Sequence, residues 1–307
     1  MPAFHVSRNI IIEASPEKVF STLNNLSTWV NWSPWLIMEP EANVTIADDN
    51  KYYEWEGSRV GAGSMKITGE EENSSVDYDL NFLKPWKSEA KVRFMIDGKG
   101  DQTKVTWSMD SSLPWYMFWM VGMMDSWIGM DYERGLGMLK EYVEEGEIKS
   151  KLEWKGESQF PGTKYIGIKT TCGMDEIGEV MMGDFGKIEA FMKEHEDIAT
   201  GNAYSIYHKW DMKKQQTIYT GCVGVNQVPD DLPADFVSGE IPATKIYTLR
   251  HIGKYDHLGN AWSTMMSMGR NKEFKQKRGI HPWEYYVTNP QETAESDHIT
   301  DVCFAVK

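Results

Sequence analysis

Glu284 stands in a run of aromatic residues, Trp283-Glu284-Tyr285-Tyr286. In a strand, successive side chains point to opposite faces, so Glu284 and Tyr286 share one face while Trp283 and Tyr285 share the other. A carboxylate beside aromatic rings has three chemistries open to it. It can neutralise a cationic aromatic ligand, with ring faces adding cation–π attraction of about 0.5–2 kcal/mol. If desolvated, its pKa rises and it can act as a general acid or base. Or it can be an ordinary solvated strand residue. Tyr204 and Tyr207, in the aromatic run of residues 202–211 (NAYSIYHKWD), are candidates for opposing walls of the same pocket; packing between sheet and helix is their other reading. Trp262 reads as helix–sheet core. In the first half, Trp55, Trp107 and Trp119 are the candidates to line a cavity, and the chain's 13 Trp and 19 Met suit walls that adapt to a ligand as well as plain cores.

Other chemistries lack their residues. The seven histidines are scattered, with no HExxH spacing, and the three cysteines, Cys172, Cys222 and Cys303, form no CxxC pair, so no metal site and no cofactor is expected. Ser64 in GAGSM (61–65) is not the central serine of a GxSxG elbow, and Gly61-x-Gly63 joins strands instead of opening a helix. The formal net charge is −14, and both halves are acidic: 14 Lys and Arg against 24 Asp and Glu through residue 150, then 18 against 22. Such a field opposes binding to a phosphate backbone, and the one basic run, RNKEFKQKR (270–278), reads as a solvated helix end. No nucleic-acid partner is expected.

The elements that must position these residues fall into two groups. Ser15-Pro16-Glu17 is a helix start: a capping hydroxyl, a residue with no N–H to leave unpaired, and an acid at the positive end. That helix is expected to follow a short strand (8–14) and to break into a Trp-rich turn (29–35). Short β-rich runs separated by turn signals fill 43–110, and a long helix over about 115–145 presents Leu136, Leu139 and Val143 on one face. The most apolar stretch, LPWYMFWMVGMM (113–124), is too short for the ~20 residues of a membrane span. It reads as a buried lid or core helix, with contact to a membrane surface the less favoured reading. Residues 146–160 are polar and mixed, so the boundary is placed there, giving domains 1–148 and 149–307. The second half contains a weak internal echo of strand, helix, strand, strand: 164–171 and 244–251 each precede a Gly-containing segment, an amphipathic helix and two strands. Two such units side by side leave a groove along their shared axis. The fold class is therefore α+β throughout.

The first half resembles the polyketide cyclase/START-like superfamily (SRPBCC). The resemblance rests on IEASPEKVF (12–20), NWSPW (31–35), YEWEG (53–57), VGAGSM (60–65), FLKPW (82–86), TKVTW (103–107) and YERGLGMLKEYVE (132–144). It implies a helix-grip fold, a curved antiparallel sheet around a long C-terminal helix. The second half resembles the GyrI-like effector-binding domain of multidrug sensors and AraC-type activators, through RHIGKYDHLGNAW (250–262), HPWEYYVTNP (281–290) and NAYSIYHKWD (202–211). In that family a glutamate in an E-x-Y/I-x-x-x-P pattern faces the pocket, and Glu284, Tyr286 and Pro290 match it. The strand after it commonly ends Tyr-x-Pro-Ile; this chain has Cys303-Phe304-Ala305-Val306. The sensors' helix-turn-helix is absent, its place taken by the START-like half.

The function this implies is binding of small hydrophobic, including cationic aromatic, molecules by a sensor, carrier or sequestering protein. The alternative is a detoxifying hydrolase acting on a hydrophobic electrophile such as a strained cyclopropane compound, with Glu284 assisting water attack, as some relatives of the second domain do. An adaptor meeting a protein partner through its acidic surface is a third reading. Sparse, unpaired cysteines and an N-terminus without a basic, then apolar leader point to the cytoplasm.

Overall fold

The computed structural model describes residues 2–212 and 214–307, and the chain divides into two compact units, one ending at Lys149 and the other beginning at Ser150. In the first unit, β1 (Ala3–Ile12) runs into the expected helix start: the Ser15 hydroxyl accepts from the Lys18 N–H and Pro16 opens α1 (Pro16–Leu23). The chain does not then break into a turn. Asn25 caps a second short helix, α2 (Leu26–Trp32), whose Leu26, Trp29 and Trp32 are buried. Bulky apolar residues three apart lie on one helical face, and their burial outweighs the poor intrinsic helix propensity of the run.

Six strands follow: β2 (Asn43–Ile46), β3 (Tyr52–Gly57), β4 (Gly61–Glu71), β5 (Ser75–Lys84), β6 (Ser88–Lys99) and β7 (Gln102–Ser112). With β1 they form one antiparallel sheet of order β1-β7-β6-β5-β4-β3-β2. The alternation is plain in β6, where Ala90, Val92, Phe94 and Ile96 are buried and their neighbours exposed. The inner face packs on α3 (Val121–Glu145), which buries Leu136, Leu139 and Val143 as expected and ends at Gly146, whose φ of 87° is a left-handed conformation that favours glycine. This is the curved sheet gripping a terminal helix that the sequence implied.

Residues 113–124 depart from expectation. Leu113 is buried, and residues from Val121 on belong to α3, but the 3₁₀ segment between them, Trp115–Met120, is neither a buried lid nor core: Trp115, Tyr116, Phe118 and Trp119 are exposed. The core cluster of this unit is built from other rings, among them Trp29, Trp32, Phe94, Trp107 and Tyr132, and includes none of these four. Among the described residues no helix is long and apolar enough to cross a membrane.

The second unit begins within the polar stretch where the boundary was placed. Residues 150–160 form β8 (Ser150–Phe160), which pairs with β13 (Thr244–Gly253) along its length. The other strands are β9 (Thr163–Gly173), β10 (Ala199–Asp211), β11 (Gln216–Val225), β12 (Val237–Ile241), β14 (Trp283–Tyr286) and β15 (Ile299–Ala305), with helices α4 (Ile177–Met192) and α5 (Gly259–Arg270). The sheet order, β12-β9-β11-β10-β14-β15-β13-β8, makes the internal echo explicit. Each repeat contributes an outer, a middle and a central strand, β9-β11-β10 and β13-β15-β14, and the repeats meet where β10 pairs antiparallel with β14.

Candidate functional site

The seam between the repeats places Glu284. Ser205 on β10 lies opposite Glu284 on β14, with Tyr204 opposite Tyr285 and Ile206 opposite Trp283. Strand alternation therefore puts Ser205, Tyr207, Glu284 and Tyr286 on one face. Both helices reach that face: Met181 of α4 lies 3.2 Å from the Tyr286 hydroxyl, and Trp262 of α5 touches Glu284 itself.

Glu284 is only 3 % exposed. Its Oε2 accepts hydrogen bonds from the hydroxyls of Tyr207 and Tyr286, each 2.8 Å long, and its Oε1 accepts from the Trp262 indole N–H at 2.5 Å. All three donors are neutral. Among the described residues no Lys, Arg or His pairs with this carboxylate. The Tyr286 hydroxyl also lies 3.0 Å from the Ser205 hydroxyl. Aromatic rings enclose the group: Tyr207 stacks on Trp210 at 5.0 Å and meets the edge of Trp262 at 4.9 Å, and Phe185 and Tyr255 contact the Tyr286 ring.

Burial is the first cause of the electrostatics here. It raises the Glu284 pKa above the usual carboxylate value, and the bonds from Trp262, Tyr207 and Tyr286 pull it back only in part. Burial, then the neighbouring charge of Glu284, pushes the phenols of Tyr207 and Tyr286 well above their ordinary value, so both stay protonated donors. Hydrogen bonds to a charged group contribute about 1.5–3 kcal/mol each, while desolvating a carboxylate costs several kcal/mol, so the cluster is poised instead of strongly stabilising. A second buried carboxylate lies on the first repeat's helix. Asp184 of α4 accepts from the hydroxyls of Tyr219 and Thr170, 2.7 Å each, and so ties α4 to the sheet.

The sequence-derived candidates separate accordingly. Glu284, Tyr286 and Tyr207 come together. Tyr204 does not: three residues from Tyr207 in one strand, it faces the opposite side of the sheet, where it packs with Tyr285, Trp283 and Cys222. Trp262, read as core, is buried and also holds Glu284, and Ser205 and Met181 were missed. The alternation in residues 202–211 contains the signal for Ser205, two residues before Tyr207.

In the first unit the three tryptophans are not gathered round one cavity. Trp107 is the centre of a filled core, with Tyr132 stacked at 3.9 Å, Phe94 at 4.8 Å, and Trp29, Trp32 and Trp35 within 6.0 Å. Trp55 is half-buried at the sheet margin, stacked on Tyr53, its indole N–H donating to the Val60 carbonyl at 3.2 Å. Trp119 is 62 % exposed. No group of three or more metal-ligating side chains occurs among the described residues.

Comparison with known proteins agrees with this division. Residues 3–144 match the family described as polyketide cyclase/dehydrase and lipid transport, and residues 158–307 match the GyrI-like small molecule binding domain. No curated protein matches the chain. Among solved structures, EcmrR in complex with DNA is similar, at 16 % identity over 61 % of this chain and 69 % of that one, with a TM-score of 0.42. SAV2435 bound to tetraphenylphosphonium is similar at 13 % identity over 50 % of this chain and 94 % of that one, TM-score 0.41. CalU16 from Micromonospora echinospora is similar at 14 % identity over 47 % and 76 %, TM-score 0.34. With these family matches over residues 3–144 and 158–307, the chain is a fusion of an SRPBCC-like polyketide cyclase/dehydrase-type domain and a GyrI-like small-molecule binding domain.

Proposed function

We propose that the C-terminal domain binds hydrophobic aromatic cations in the groove between its repeats, with Glu284 as the counter-ion and Tyr207, Tyr286 and Trp262 as the walls that release it. The observation that carries this reading is the Glu284 carboxylate, buried among aromatic rings and held by three neutral donors with no cation among the described residues. A buried anion without a paired charge is costly, and an incoming organic cation removes that cost while meeting ring faces suited to cation–π contact. A neutral or anionic ligand gains nothing from the same charge. In this role the protein is a sensor, carrier or sequestering agent.

The test is titration of the whole protein with a panel of cationic and neutral aromatic dyes of similar size, comparing wild type with Glu284→Gln. Affinity for the cations should fall about tenfold or more, equivalent to roughly 1.4 kcal/mol, while neutral dyes change by less than about threefold. Equal losses for both classes, or none, would remove Glu284 as a charge reader.

A second reading draws on a specific feature, one carboxylate oxygen shared by two phenols in a site that raises the acid's pKa. Such a group can take a proton from water attacking a hydrophobic electrophile. Glu284→Gln would then abolish turnover of a strained electrophile while leaving its affinity nearly intact. A chemically unchanged ligand recovered from the wild-type protein would argue for binding alone.

A further inference from the structure

The 3₁₀ segment Trp115–Met120 that was expected to be buried lies on the surface, and it is not alone. The pairing register identifies its neighbours. Ala90 on β6 is opposite Ser111 on β7, and Phe82 on β5 is opposite Ser88, so the β5–β6 hairpin tip and the end of β7 project from one end of the sheet. That tip carries Leu83 and Trp86. The six residues Leu83, Trp86, Trp115, Tyr116, Phe118 and Trp119 are between 46 % and 76 % exposed. At roughly 150–250 Å² per aromatic side chain, they present on the order of 700 Å² of apolar surface, more than the largest patch on a typical monomer.

Charge tells what this surface suits. The domain is strongly acidic, yet residues 111–124 contain no charged side chain. Acids bracket that run: Asp110 pairs with His5, and Asp125 shares Arg8 with Glu133, while at the tip Lys84 pairs with Glu56 at 2.6 Å. A basic protein partner would be drawn to the acidic remainder of the domain, and an anionic lipid surface would be repelled by it. The amphipathic rings of Trp and Tyr are the side chains enriched where hydrocarbon meets headgroups, and a fluid surface accepts a protruding hairpin tip and helical turn without a matching shape.

We infer that this end of the N-terminal domain, the hairpin tip at Leu83–Trp86 with the Trp115–Trp119 segment, docks reversibly on an electrically neutral phospholipid surface. The interaction is peripheral and stands independently of the role proposed for Glu284.

The experiment is flotation of the whole protein with vesicles of phosphatidylcholine alone and with vesicles in which a third of the lipid is phosphatidylserine. Wild type should float with the neutral vesicles, several-fold less with the anionic ones. The double variant Trp115→Gln/Trp119→Gln should lose at least tenfold in partitioning, and Trp86→Gln alone should lose a measurable part, with unfolding midpoints of both unchanged because the side chains are exposed. Absence of wild-type flotation, equal flotation of the double variant, or preference for the anionic vesicles would each overturn the proposal. So would wild-type self-association by light scattering that the double variant abolishes, since the occupant would then be a second copy of the chain.

Discussion

Glu284, Tyr207, Tyr286 and Trp262 form a unit in which no residue's behaviour is its own. Because burial outweighs the three donors, the carboxyl pKa is higher in the folded chain than in the unfolded one. An acid with a raised folded pKa binds more protons folded than unfolded between the two values. Its contribution to stability is therefore greatest at low pH and declines as pH climbs past the unfolded value toward the folded one. Glu284→Gln removes this titration, so the stability difference between wild type and variant should shift in the variant's favour as pH rises above the unfolded carboxyl value of about 4.3, measured by urea unfolding. A difference that stays flat with pH would mean the carboxylate is not desolvated. How legible this unit was in the sequence depends on the residue. Glu284 and Tyr286 share a face by strand period alone, and the same rule, applied to Ser205 and Tyr207, would have excluded Tyr204. The direction of the Trp262 indole N–H was not legible, because it depends on how α5 crosses the sheet.

At the scale of elements, local signals foretold those parts whose own residues carry the information. Ser15-Pro16-Glu17 started a helix, the 43–110 turns separated strands, and Leu136, Leu139 and Val143 marked the buried face of α3. The parts misread or left open are those whose state is set by a partner far along the chain. β8 is a polar edge strand that exists through its ladder with β13, about a hundred residues away. Trp115–Met120 is apolar enough for a core, but the rings around Trp107 already occupy the interior. Gly135 records how tightly that interior is filled. A Cβ there would sit 2.7 Å from the Trp107 ring and 3.0 Å from Pro34. In an open helix, Gly→Ala stabilises by about 0.8–1 kcal/mol, but overpacking costs about 1–3 kcal/mol. Gly135→Ala should thus lower the urea midpoint, whereas Gly183→Ala in α4, with nothing within 4 Å of its Cβ position, should raise it by roughly 0.5–1 kcal/mol in stability. If both substitutions stabilise, α3 does not pack against Trp107 as closely as the 3.9 Å Trp107–Tyr132 stack implies.

At the scale of the whole molecule, each unit has a core built from its own residues. The first is one cluster running from Val6 to Val143; the second is built in smaller clusters on the two faces of its sheet. Families match either side of the same division, so the two parts are inferred to fold without each other, provided the cut respects β8. A cut at the end of the polar stretch, after residue 160, would strip β8 from β13 and leave a ten-residue row of backbone donors and acceptors unpaired at the sheet edge. It would also remove the buried Leu152 and the half-buried Phe160, the latter packed against Trp283 in one of the unit's core clusters. Residues 150–307 should therefore express as a soluble, cooperatively unfolding protein that keeps the cation preference of the full chain, while 161–307 should aggregate or unfold without a transition. Binding by 161–307 equal to that of 150–307 would show that β8 is dispensable and that the groove at Glu284 is maintained by the repeats alone.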